Sequence, residues 1–141
     1  MHLFAYGTLM CSDIMAEVSG LHMPSDPASL TGYRRLGVRG EHYPAILPDT
    51  QSSVTGVVYR DIPQSAWVLL DRFEGDMYSR NRVQATLADG SLVAADTYVI
   101  RDAFVGWLDD GEWDPTEFLR HGKERFRRFY KGYAKLATQG S

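Results

Sequence analysis

Cysteine is nearly missing from this chain: Cys11 is the single one among 141 residues. An internal disulfide is therefore excluded, and a reducing, cytoplasmic setting is the expectation. Long apolar runs are missing too; none approaches the ~20 residues a helix needs to span a bilayer. The opening MHLFAYG has no basic segment, no long apolar stretch and no small-residue cleavage pattern, which argues against a secretory leader. Neither GxGxxG nor GxxxxGK(S/T) occurs, so a nucleotide phosphate site has no motif behind it. The four histidines, His2, His22, His42 and His121, are scattered, and no pair stands at metal-ligand spacing. A positive surplus is also lacking. The formal net charge is −3, which points away from nucleic acid and anionic membranes as partners. Repeats, low-complexity segments and linkers are absent.

What is present is ordinary for one globular domain. Apolar residues make up 44% and charged residues 23%, and a chain of this length can bury a sizeable core. We read residues 1–141 as a single domain.

Leu3 to Tyr6 reads as a short buried strand. Ser12 and Asp13 offer helix caps, and Ile14, Met15 and Val18 form one apolar face up to Gly20. Residues 21 to 29 carry two prolines without a period, the pattern of a loop. Leu30 to Val38 reads as a strand, and Gly40 to Pro48 as a turn-rich stretch ending in a short apolar strand. Ser53 to Arg60 is β-branched and apolar, a further strand. Asp61-Ile62-Pro63 opens a helix with the proline in its first turn. Ala66, Trp67, Leu69, Leu70 and Phe73 give its apolar stripe, and Gly75 ends it. Arg82 to Leu87 and Leu92 to Ile100 flank Ala88-Asp89-Gly90-Ser91, a hairpin signal. A terminal helix starts at Asp114 as cap, with Pro115 first and Glu117 as capping-box partner. Its stripe is Phe118, Gly122, Phe126, Phe129, Tyr133 and Leu136. The sum is an α+β domain with roughly six or seven strands and three helices.

Three short stretches carry residues of chemical interest. In Tyr6-Gly7-Thr8-Leu9 a strand ends at a glycine just before a helix. Successive N–H groups at such a turn can converge on a small anion, aided by the positive end of the helix. A plain strand-ending turn is the commoner use of such a sequence. In Leu70 to Arg80, Glu74 falls at the end of a helix, where carbonyl groups disfavour a carboxylate. The dipole raises its pKa, and partial burial raises it further, towards what a general base at neutral pH requires. Solvation, or pairing with Arg72, Arg80 or Arg82, is the bland alternative. In Gly40 to Ala45, Tyr43-Pro44 makes a rigid aromatic corner, suited to a pocket wall or to ordinary packing.

Taken together, Y-G-T-L at Tyr6–Leu9, G-x-x-Y-P-A at Gly40–Ala45 and L-D-x-F-E-G-x-x-Y-x-R at Leu70–Arg80 resemble the γ-glutamylcyclotransferase-like superfamily. The branch of γ-glutamylamine cyclotransferase and the AIG2-like proteins matches better, and G-E-W-D at Gly111–Asp114 fits it too. The resemblance runs over residues 3 to 115. It implies a small mixed β-barrel with about three packed helices. It implies that Tyr6, Gly7, Thr8 and Leu9 hold a substrate carboxylate through backbone groups, that Glu74 is the catalytic acid/base, and that Tyr43 and Tyr78 stand near the pocket.

The implied reaction joins the turn and the glutamate. The α-amine of a γ-glutamyl compound attacks its own γ-carbonyl, closing 5-oxoproline and releasing an amine. This needs one anion cradle, one carboxylate and no metal or cofactor, because the nucleophile belongs to the substrate. The implied partner is a small γ-glutamyl molecule; nothing in the pattern sets an oligomeric state or the leaving amine. A second class of function is a binding module for a carboxylate-bearing small molecule or peptide end, in which Glu74 only holds an amine. A third is nucleic-acid binding through the basic sides of the terminal helix, for which a solvated basic face over an aromatic stripe is the simpler account. Cys11 reads as a small core residue, since no histidine has a motif partnership with it.

Overall fold

The computed structural model describes residues 1–124 and 126. The predicted stripe positions Phe129, Tyr133 and Leu136, and the basic residues from Arg127 on, lie outside the described residues.

The first strand, β1 (Leu3–Ala5), is short and buried along its whole length. Side chains alternate across a strand, so Leu3 and Ala5 join one core cluster while Phe4 and Tyr6 join the other. A strand buried on both faces must have neighbours on both edges. It pairs antiparallel with β3 (Pro44–Tyr59), Leu3 opposite Tyr59, and parallel with β5 (Leu92–Ile100), Leu3 opposite Asp96. β5 forms a hairpin with β4 (Tyr78–Leu87), in register from Tyr78↔Ile100 to Thr86↔Leu92. Gly90, at φ 87°, turns it. β4 reaches β2 (Ser25–Val38) at Ala28↔Leu87, and β2 runs antiparallel to β3. The order β3-β1-β5-β4-β2 therefore closes on itself through β2–β3, a five-stranded mixed barrel. A sixth strand, β6 (Leu108–Glu112), adds to β2 outside this ring.

Phe4, Tyr6, Leu30, Ile46, Val54, Val58, Val83 and Val99 fill the barrel. Outside it, α1 (Ser12–Ser19) and α2 (Gln64–Glu74) cover Leu3, Ala5, Tyr59 and Ile100 with Ile14, Met15, Trp67 and Leu70. The candidate site lies where the two cores meet, lined by Phe4 and Tyr6 of the first and by Leu3, Ala5 and Leu9 of the second.

Several sequence expectations are corrected in detail. β2 begins at Ser25 rather than Leu30, so the proline-bearing stretch is partly strand: Pro27 sits opposite Val57. Proline removes one ladder donor, but pairing sustained from Ser25↔Tyr59 to Gly37↔Pro44 carries the strand through it. A bulge between Thr31 and Tyr33, with Gly32 at φ 91°, bends the ribbon. The two strands expected between residues 44 and 60 are one, β3. β4 starts four residues before Arg82. Cys11 takes the N-cap position of α1, and Pro63 caps α2 instead of opening it. Leu69, expected in the α2 stripe, is exposed. β6 was not expected at all: LDDGE lacks strand character, and only Leu108 of it is buried. The terminal segment begins as α3 (Pro115–Glu117), followed by a π-helical turn, Phe118–Gly122. Asp114 caps it by accepting from the Thr116 N–H (2.8 Å), while Glu117 faces His121 (3.7 Å) instead of completing a capping box.

Candidate active site

β1 delivers Tyr6 and then Gly7 to the edge of the outer core. There the chain turns through a 3-10 segment, Thr8–Met10, with Met10 N–H donating to the Gly7 carbonyl (3.0 Å). The opening N–H groups of a helical turn have no acceptor within it; here they belong to the Gly7–Leu9 stretch. Glycine is required at position 7 by close approach rather than by a left-handed backbone, since its φ is −129°. A Cβ there would stand 2.8 Å from the ring carbons of Pro44.

Four donors brace this region, and three of them are tyrosine hydroxyls. Arg35 Nη1 donates to the Tyr6 carbonyl (2.7 Å) and to Thr55 (2.9 Å). Tyr59 Oη donates to the Leu9 carbonyl (2.6 Å), Tyr6 Oη to the Tyr98 carbonyl (2.6 Å) and Tyr78 Oη to the Pro44 carbonyl (2.8 Å). Burial holds the phenols of Tyr6 and Tyr78 well above their ordinary pKa, so both stay protonated as donors. Their hydroxyl protons are thus committed to the backbone, and they offer a ligand their rings.

Glu74 is the last residue of α2, followed by Gly75 at φ 74°. The residue is half-buried, but its carboxyl is closely surrounded by protein. Burial pushes its pKa up to about 8, with the neighbouring Asp71 carboxylate adding repulsion. Enclosure, rather than the helix dipole, thus leads the shift. Of the arginines that could have paired with it, Arg80 and Arg82 are engaged elsewhere. Arg80 reaches Asp71 (3.5 Å) and Asp96 (3.5 Å) and stacks over Trp67 (4.4 Å); Arg82 binds Asp96 (2.9 Å). Among the described residues, no hydrogen bond or ion pair holds the Glu74 carboxyl.

The turn and the glutamate face one cavity of about 100 Å³. All seven residues singled out from the sequence line it: Tyr6, Gly7, Thr8, Leu9, Tyr43, Glu74 and Tyr78. Pro44, Phe73, Tyr98 and Phe126 complete the wall. Tyr98 and Phe126 had been passed over as site residues. Tyr98 lies in an unremarkable strand and enters only because Arg80↔Tyr98 pairing sets it beside the loop after α2. Its hydroxyl donates to Asp71 (2.7 Å), one helical turn before Glu74. Phe126 had been read as core stripe. Cys11 lines a separate groove with Met10, Trp113 and Phe118. Among the described residues no cluster has metal-ligand character, and no helix is long and apolar enough to cross a membrane.

A closed five-stranded mixed barrel, with a Tyr-Gly-Thr turn across a cavity from a helix-terminal glutamate, is a γ-glutamyl cyclotransferase-like architecture. The chain belongs to the family described as gamma-glutamyl cyclotransferase, AIG2-like, whose model matches residues 3–115. AIG2-like protein C of Arabidopsis thaliana is 34% identical over 129 residues, covering 88% of this chain and 72% of the relative. A solution structure of another Arabidopsis thaliana protein superposes with a TM-score of 0.70 at 25% identity, covering 97% of this chain and 83% of that one. A protein solved as gamma-glutamyl cyclotransferase shares the fold, with a TM-score of 0.61 at 18% identity over 72% of this chain and 66% of its own.

Proposed function

We propose that this protein is a γ-glutamyl cyclotransferase-type enzyme that releases 5-oxoproline and an amine, with Glu74 as acid/base. The observation that carries the reading is the Glu74 carboxyl, unpaired among the described residues and pushed up to about 8, facing the Tyr6–Leu9 turn across one cavity.

The bound molecule presents an α-ammonium, an α-carboxylate and a γ-amide. The carboxylate sits against the backbone of the Tyr6–Leu9 turn. The ammonium beside Glu74 favours the ionised carboxylate, which takes one proton and frees the nitrogen lone pair. That nitrogen attacks the γ-carbonyl carbon, the C–N bond to the leaving group breaks, and Glu74 returns a proton to the departing nitrogen. Overall two protons pass from the α-nitrogen to the leaving amine, and the charges balance. Fixing the folded conformer removes orientational entropy, a contribution of up to about 7–11 kcal/mol in limiting cases.

The test is 5-oxoproline release from a panel of γ-glutamyl amides, with Glu74→Gln as control. Turnover by the wild type and its loss in the variant, with substrate still bound, support the reading. A folded wild type that releases none from any member of the panel overturns it.

A further inference from the structure

Phe126 has a place that neither the turn nor the glutamate accounts for. It is 8% exposed and lines the Glu74 cavity. Its ring meets two other cavity rings edge-on: Tyr43 at 6.4 Å and 70°, Phe73 at 6.2 Å and 80°. These three aromatics come from β3's approach, from α2 and from the segment after α3. The family model ends at residue 115, so Phe126 closes the cavity from outside the segment that model matches.

The segment carrying Phe126 is fastened to the body at several points. Lys123 Nζ pairs with Asp13 of α1 at 3.0 Å. Phe118 packs between Trp113 (5.3 Å) and Phe126 (5.9 Å). Trp113 Nε1 donates to the His42 carbonyl (3.0 Å), beside Tyr43. At Gly122 an added Cβ would stand 3.1 Å from His42 Nδ1 and from the Phe118 ring, so glycine lets this turn seat closely.

We infer that residues 118–124 and Phe126 form a wall, with Phe126 as its working face, that limits the size of the leaving amine and keeps water from Glu74. The inference rests on the cyclotransferase reading for its substrate and on packing alone for its second effect. Among the described residues, the titratable groups facing Glu74 are Asp71 on its own helix, Tyr6 after β1, and Tyr43, Tyr78 and Tyr98 from β3's approach, β4 and β5. None of these is removed by changing Phe126, so a change in Glu74 titration reports enclosure.

The experiment compares wild type, Phe126→Ala and Phe126→Leu in the full chain. 5-Oxoproline release is read on γ-glutamyl methylamide and on γ-glutamyl naphthylamide. Glu74 titration is followed by carboxyl carbon NMR without substrate. The expected result is a rise of about tenfold in the naphthylamide-to-methylamide ratio of kcat/KM in the alanine variant. The Glu74 midpoint should fall by about one unit, with the leucine variant intermediate. Lys123→Met, which frees the fastening without touching the cavity, should move both readouts the same way by less. Equal loss on both substrates with an unmoved midpoint overturns the inference, and so does no change in either. If the wild type releases no 5-oxoproline, the functional reading fails, and the midpoint alone decides whether Phe126 shields Glu74.

Discussion

The floor and the far wall of the cavity are built in opposite ways. The floor is main chain: Tyr6 to Leu9, whose carbonyls are held by Arg35 and Tyr59 and whose neighbour Pro44 is held by Tyr78. The wall is side chain: aromatic edges from Tyr43, Phe73 and Phe126, the last on a segment held by an ion pair and stacked rings. Directional hydrogen bonds to buried carbonyls fix positions tightly, whereas edge-to-face ring contacts tolerate sliding and substitution. The difference teaches a division of labour. Under the proposed function, a rigid floor suits the part common to all γ-glutamyl compounds, and an adjustable wall suits the part that varies.

Each variant below breaks one side of that contrast. Glu74→Gln should have the largest effect: a loss of about 10²–10⁴-fold in kcat with little change in binding, measured by steady-state kinetics and calorimetry. Next comes pH. Wild-type kcat/KM should climb by up to about tenfold per pH unit toward pH 8 and then level, as Glu74 ionises. The same group leaves a mark on stability. The folded protein keeps Glu74 protonated up to about 8, while the unfolded chain releases that proton near 4.5. Folding therefore takes up a proton between those values, and wild-type stability falls as pH rises through that window. Glu74→Gln should flatten this slope in denaturant titrations.

Gly7→Ala attacks the floor directly. The new methyl meets the stiff Pro44 ring at 2.8 Å, and such overpacking costs about 1–3 kcal/mol. KM should rise more than kcat falls, because the turn proposed to hold the carboxylate is displaced. Tyr78→Phe is the mildest: it leaves the Pro44 carbonyl without its donor and should lower stability by about 1–2 kcal/mol, read as a lower Tm, with kcat nearly kept. If Tyr78→Phe harmed turnover as much as Gly7→Ala, the floor would not be the rigid element.

Local signals carried much of this architecture. Asp89-Gly90 announces the β4–β5 hairpin, Gly75 closes α2 where its pattern ends, and the seven motif residues converge on one cavity. What escaped the sequence was whatever depends on distant pairing. Pro27 reads as a breaker because proline's missing donor is a local fact, while its partner Val57 is thirty residues away. LDDGE reads as a loop because its strand state rests on pairing to Leu36 and Val38. Tyr98 joins the cavity through its register against Arg80, which no periodicity in β5 discloses. The cause of the Glu74 shift was misweighted for the same reason. A helix end is visible in sequence, whereas enclosure by four tyrosines is a property of the closed barrel.

The parallel contact of Leu3 with Asp96, beside its antiparallel contact with Tyr59, makes closure of the ring depend on partners far along the chain. β1 cannot dock until both later strands exist to receive it, and such distant closures form slowly. The hairpins β2–β3 and β4–β5 can zip locally, but the strand that leads into the Tyr6–Leu9 turn is inserted between them as a keystone. Under the proposed function, the cavity that joins Glu74 to the Tyr6–Leu9 turn exists only once the whole ring is complete.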